Sequence, residues 1–217
     1  TGGHGVLGRA VVEAALADGL KVAVIDHASG QSAPDGVLEL GGVDLTDPAS
    51  AKAAIEAVFA HFGRLDALLN IAGGFVWQTT EDADPAWARM FALNVTTALN
   101  ASRAALPHLK ASAEGRIVNV GANAAVKSAA GMGAYAASKA GVHRLTESLA
   151  EELKDTSVTV NAVLPSILDT AQNRKDMPDA DPARWVAPAD LARVMLFLAA
   201  PESRAVTGAL IPVTGRV

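Results

Sequence analysis

The sequence predicts an α/β domain: a doubly wound parallel sheet with helices on both faces. Three observations predict it. Short apolar, β-branched runs alternate with stretches of helical periodicity along the whole chain, and no linker interrupts them. The apolar residues are mostly small aliphatics, and aromatic residues make up only 4% of the chain, which suits parallel strands buried under helices. The residues able to do chemistry fall at the ends of the expected strands, where open sheets of this kind hold ligands. With 217 residues, 50% of them hydrophobic, the chain is read as one domain spanning 1–217.

Each element has a local reason. "LGRAVVEAALAD" (7–18) repeats apolar positions at helical spacing and stops at Gly19, a helix terminator. "KVAVID" (21–26) is a short β-branched strand. In "DPASAKAAIEAVFAHFG" (47–63), Asp47 caps a helix, Pro48 sits in its first turn and Gly63 ends it. "LDALLNIAGG" (65–74) is a buried strand running into a glycine turn. A long helix is expected over roughly 84–110, interrupted near Pro107. A strand (115–122), a long helix (134–154), a strand stopped by Pro165 (158–165), a helix (187–200) and a last strand (208–215) complete the pattern.

Composition excludes several functions. The net charge is −5 with no basic block, so nucleic acid is not an expected partner. There are no cysteines, and the five histidines lack metal-ligand spacing, so neither disulfides nor a metal site is expected. No apolar run approaches the roughly 20 residues of a membrane span. With no secretion signal visible, the expected location is cytoplasmic.

"TGGHGVLG" carries Gly3-x-Gly5-x-x-Gly8 and runs straight into a helix. Glycines let the backbone approach a pyrophosphate, and the helix N-terminus offers free N–H groups. Such a turn follows a strand, so a first strand preceding Thr1 is expected. The next strand ends in Asp26, eighteen positions after Gly8. A carboxylate there accepts from both ribose hydroxyls of an adenosine and repels a 2′-phosphate, so NAD(H) is expected over NADP(H).

Tyr135, the only tyrosine, precedes Lys139 by four residues on one helix face. An ammonium beside a phenol lowers its pKa from about 10, so the pair is expected to act as an acid/base beside its tuning cation. The spacing alone arises often by chance, and the ordered set of motifs carries the argument. "TGGHGVLG", Asp26, "VDLTD", "LNIAGG", Asn94, "AYAASK" and "VNAVLPSILDT" occur in an order and spacing similar to the short-chain dehydrogenase/reductase family over essentially the whole chain.

The resemblance implies a Rossmann-type fold and a set of roles. Gly2, Gly3, Gly5, Leu7 and Gly8 would form the cofactor turn, and Asp44 and Leu45 would lie beside the adenine. Asn70, Ala72 and Gly73 would support the sheet and the nicotinamide ribose. Asn94 would hold a proton-relay water, Tyr135 would be the acid/base, and Lys139 would bind the ribose. Pro165 and Thr170 would sit near the nicotinamide. The implied function is NAD(H)-dependent reduction of a small carbonyl or imine-like substrate, by a homodimer or homotetramer. The chain also departs from the pattern. Ala122 stands where the family has a serine thirteen residues before the tyrosine, Ile71 follows Asn70 where a second asparagine is usual, and Ser166 follows Pro165 in place of glycine. Asn123 and Ser128 are the nearby candidates to replace the serine, although strand alternation would turn Asn123 to the opposite face from Ala122. "LPSILDTAQNRKDMPDADPARW" (164–185) resembles the dihydropteridine reductase branch, which also lacks that serine. A catalytically weak NADH-binding protein is the other alternative.

Overall fold

The computed structural model describes residues 1–30, 33–82 and 86–217. The chain runs α1 (Val6–Ala17), β1 (Ala23–Ile25), β2 (Leu38–Leu40), α2 (Pro48–Phe62), β3 (Ala67–Asn70), α3 (Ala86–Phe91), α4 (Thr97–Ala111), β4 (Arg116–Val120), α5 (Gly133–Glu152), β5 (Thr159–Pro165), α6 (Ala171–Asp176), α7 (Pro188–Ala199) and β6 (Leu210–Val213). Every strand pairing is parallel: β1 with β2, and β3-β4-β5-β6 in sequence order.

Helices cover both faces because strand side chains alternate. Ile117 and Val160 join a core with Ile55, Leu109 and Leu149, under α2, α4 and α5. Val118 and Val163 face the other way, onto Leu7 and Val11 of α1 and Leu191 and Met195 of α7. This is the doubly wound α/β arrangement, with parallel strands buried on both sides.

The helix ends follow the expected chemistry. Asp47 accepts from the amides of Ala49 and Ser50, and Gly63 closes α2 with φ of 71°. Three features differ from expectation. Residues 38–40 form a strand that "GVLELGG" is too short to announce. The helix expected over 84–110 is described from Ala86 onward and is not continuous, because a π-helical turn, Ala92–Thr96, separates α3 from α4. Pro107 lies within α4 without ending it. Pro107 and Arg103, whose carbonyl it leaves without a helical donor, both lie on the exposed side, where water can serve that carbonyl.

Among the described residues, β1 and β3 are not paired with each other. Between them lies a cavity of about 860 Å³, lined by Val12, Ala15, Val24, Ile25, Leu68 and Leu69 among others. Only its top is bridged: the Thr1 nitrogen donates to the Leu69 carbonyl at 2.9 Å, and Gly2 N–H donates to the Ile25 carbonyl at 2.8 Å. The glycine turn is therefore fastened across the carboxyl ends of both sheets.

Candidate active site

The glycine turn opens directly into α1. No side chain caps that helix, so its first amides remain available to an anion. Gly8 must be glycine: a Cβ there would lie 2.2 Å from the Gly2 carbonyl oxygen. Leu7 is buried and anchors α1. Asp26 follows β1. Its Oδ2 accepts from His4 N–H at 3.0 Å and its Oδ1 from Ala28 N–H at 2.9 Å. Burial pushes its pKa up, but the amides of Ala28 and His4 outweigh that, and the carboxyl stays below its ordinary value. Asp26 is thus an ionised, oriented acceptor. Beside it, His4 Nε2 pairs with Glu39 Oε1 of β2 at 3.0 Å.

Asp44 and Leu45 lie just beyond β2. Asp44 accepts from the Thr46 hydroxyl at 2.7 Å and the Thr46 amide at 2.8 Å, while Leu45 is buried. Asn100 of α4 donates to the carbonyls of both Leu45 and Thr46 at 3.0 Å, and fixes this turn.

The carboxyl ends of β3 and β4 gather the remaining polar groups. Asn70 donates to Ser102 Oγ at 3.0 Å and Asn119 Oδ1 at 2.9 Å, and ties β3 to α4 and β4. Ala72 N–H donates to Thr1 Oγ1 at 3.2 Å. A Cβ on Gly73 would lie 2.6 Å from Asn94 Oδ1 and 3.4 Å from Lys139 Nζ, so the turn after β3 packs closely against both side chains.

Asn94 sits in the π-helical turn and is 1% exposed. Its amide grips Gly74 from both sides, accepting from the Gly74 N–H at 2.9 Å and donating to the Gly74 carbonyl at 3.1 Å. It also donates to Ser138 Oγ at 2.9 Å, and Ser138 in turn donates to the Tyr135 carbonyl at 2.8 Å. The Thr97 hydroxyl takes the Leu93 carbonyl at 2.7 Å, which satisfies a group that the wide turn displaces.

Tyr135 and Lys139 share one face of α5, as their spacing requires. Lys139 is buried and donates to the Val120 carbonyl, the last residue of β4, at 2.7 Å. The electrostatics depart from expectation. Burial pushes the Tyr135 phenol up to about 12. Burial also lowers Lys139 to about 8. The lysine is spent on the Val120 carbonyl and does not lower the phenol's pKa, so Tyr135 is a protonated acid at neutral pH rather than a poised phenolate.

Ala122 is buried, and its N–H donates to His143 Nε2 at 3.4 Å. Asn123 does not continue the strand: it begins a 3₁₀ turn, Asn123–Ala125, so strand alternation does not govern its direction. The Ser128 hydroxyl is exposed and donates to the Ala129 carbonyl at 3.3 Å. Pro165 ends β5. Thr170 caps α6 by accepting from Asn173 N–H at 3.1 Å, which leaves its own hydroxyl proton free to donate. Asp169 and Arg174 pair across the start of α6 at 2.6 and 2.8 Å.

Sequence reading missed Ser138, Asn100 and the His4–Glu39 pair. Ser138 and His4 lie inside the quoted motifs "AYAASK" and "TGGHGVLG", but spacing does not reveal their distant partners, Asn94 and Glu39, or those of Asn100. Trp185 is buried, whereas Trp77 is exposed. Among the described residues no cluster of His, Asp or Glu could hold a metal, and no helix is long and apolar enough to cross a membrane.

Comparison with known proteins identifies the family and the fold. The chain is 33% identical over 238 residues to 2-(S)-hydroxypropyl-CoM dehydrogenase 3 of Xanthobacter autotrophicus, covering 99% of this chain and 93% of that protein. It is 33% identical over 227 residues to the 3-oxoacyl-[acyl-carrier-protein] reductase MabA of Mycobacterium tuberculosis, covering 99% and 90%. Among solved structures it superposes on Thermoplasma acidophilum aldohexose dehydrogenase with a TM-score of 0.86 at 27% identity, covering 97% of this chain and 89% of that one. On 3-ketoacyl-(acyl-carrier-protein) reductase from Brucella melitensis complexed with NADH, the TM-score is 0.84 at 26% identity, covering 96% and 92%. The dihydropteridine reductase resemblance has no counterpart among these names. The short chain dehydrogenase family model matches residues 1–181. The chain belongs to the short-chain dehydrogenase family, whose members are oxidoreductases that bind a nicotinamide cofactor and act on small molecules.

Proposed function

We propose that the protein reduces a small carbonyl substrate with NADH, and that Tyr135 gives the proton. The observation that carries this reading is the meeting of Gly73 and Asn94 with Lys139, which shares α5 with Tyr135, at the carboxyl ends of β3 and β4 and on the same rim as the glycine turn and Asp26. The residues present fit the cofactor. The turn of Gly2, Gly3, Gly5, Leu7 and Gly8 offers the uncapped amides of α1 to a pyrophosphate. Asp26 accepts from the adenosine ribose, and Asp44 and Leu45 border the adenine. Asn70, Ala72 and Gly73 shape the turn under the nicotinamide ribose, which Lys139 holds. Pro165 and the free hydroxyl proton of Thr170 meet the nicotinamide end. NADH, when bound, supplies the hydride.

Tyr135 gives its proton to the substrate oxygen as negative charge gathers there. Its raised pKa suits the reductive direction, since the acid is fully protonated before the reaction. The Asn94 side chain is committed to Gly74 and Ser138 and so positions the turn beside Lys139. We also expect the family's two-fold assembly, as a homodimer or homotetramer.

Oxidation of NADH and NADPH by the protein, with a panel of ketones and quinones, tests the cofactor half of this reading. The expected kcat/KM for NADH is at least about tenfold that for NADPH, from roughly 1.4 kcal/mol of repulsion between Asp26 and a 2′-phosphate. Asp26→Asn should erase most of that preference. Equal use of both cofactors by the unaltered protein would overturn it.

A further inference from the structure

The surface beside Tyr135 is aromatic, and nothing in the reductase reading requires it to be. The Phe75 ring meets Tyr135 edge-on, with centroids 5.0 Å apart and planes at 86°. Phe75 is nevertheless 52% exposed, and Trp77, two residues on, is 61% exposed. Trp77 is not a loose side chain. Its indole lies against Gly131, so close that a Cβ there would fall 2.1 Å from Trp77 Cε2. Gln78 N–H donates to the Gly131 carbonyl at 2.8 Å and fastens the two loops together. Gly131 has φ of 72°, which a side chain would strain in any case. Two large rings are therefore held open to water on the loops that flank the proton donor, one of them touching it. Solvated aromatic faces gain by stacking on a flat ligand.

The same site lacks the hydroxyl that the family places thirteen residues before the tyrosine. Ala122 presents a methyl group where a hydroxyl would meet a substrate oxygen, and the Ser128 hydroxyl is turned onto Ala129. A simple ketone becomes an alkoxide on hydride addition, its charge confined to one oxygen, and the loss of a positioned donor then costs several kcal/mol. A quinone becomes a conjugated enolate whose charge spreads over the ring and the second carbonyl, so a missing donor costs it less.

We propose that the substrate is a planar, conjugated quinone-type dicarbonyl whose ring lies on Phe75 and Trp77 with one oxygen at the Tyr135 hydroxyl. The proposal rests on the reductase reading above and names its substrate class. In the step itself one hydride enters a ring carbon conjugated to the carbonyl, the displaced electron pair settles on the ring oxygen, and that oxygen takes the Tyr135 proton; the same ring carbon then loses a proton to solvent while the second carbonyl oxygen takes one from solvent. The quinone gains two electrons and two hydrogens and becomes a hydroquinone, the dihydronicotinamide is oxidised, and Tyr135 regains its proton from solvent.

The test compares 1,4-naphthoquinone, 2-butanone and a 3-oxoacyl thioester as oxidants of NADH, with Tyr135→Phe and enzyme-free controls to subtract direct reaction. It also measures quenching of tryptophan fluorescence by the naphthoquinone without cofactor. The expected result is kcat/KM for the quinone at least about a hundredfold above either other substrate. Trp77→Ala and Phe75→Ala should each raise the quinone KM about fivefold with kcat nearly unchanged. Trp77→Phe, which keeps a stacking face, should recover most of the loss, and quenching should weaken in Trp77→Phe because the indole itself is the reporter. Preference for 2-butanone or the thioester, or a quinone KM that does not move in Trp77→Ala, overturns the proposal. Absence of NADH binding and of turnover with every substrate would instead overturn the reductase reading.

Discussion

Tyr135 and Lys139 were legible from spacing, but their electrostatics were not. The four-residue interval places both on one helix face, and the structure keeps it. The interval does not say where the ammonium points, and it points to the Val120 carbonyl. Because Tyr135 is the only tyrosine in the chain, alkaline absorbance titration reports it alone. The expected midpoint is about 12 in the folded protein. In the unfolded chain it should lie near the ordinary value of about 10. The linkage signs follow from these shifts. The Tyr135 value is raised on folding, so its contribution is complete below the unfolded value and is lost as pH rises through the folded one. Lys139 is lowered from 10.5 to about 8, so the unfolded chain binds the extra proton between those values and stability rises with pH across that window. A folded-state midpoint at or below that of the unfolded chain would mean that Lys139 tunes the phenol after all.

At the scale of elements, most helices and strands announce themselves. Asp47 and Gly63 bound α2 for the reasons that their side chains dictate. The π-helical turn does not, because it depends on a partner chosen across the fold. Asn94 closes on Gly74 and Ser138, and the backbone widens by one residue to let it. Asn94→Ala removes these bonds and leaves the Gly74 amide and carbonyl without partners. The expected cost is about 2–4 kcal/mol of stability by denaturant titration, against about 1 kcal/mol for Ser138→Ala. A loss under about 1 kcal/mol for Asn94→Ala would show that the clamp is not what holds the turn. β2 was unreadable for a different reason: three residues carry too short a pattern, and pairing with β1 alone defines them.

At the scale of the molecule, the alternation of strands and helices gave the doubly wound architecture, because two faces of one parallel arrangement must both be covered. The central claim concerns catalysis, and one comparison reaches it most directly: NADH turnover and NADH affinity of Tyr135→Phe beside the unaltered protein. The account predicts turnover reduced by about 10²–10⁴, the usual share of a positioned acid, with NADH affinity changed less than about twofold. Turnover that survives the loss of this one hydroxyl would contradict it.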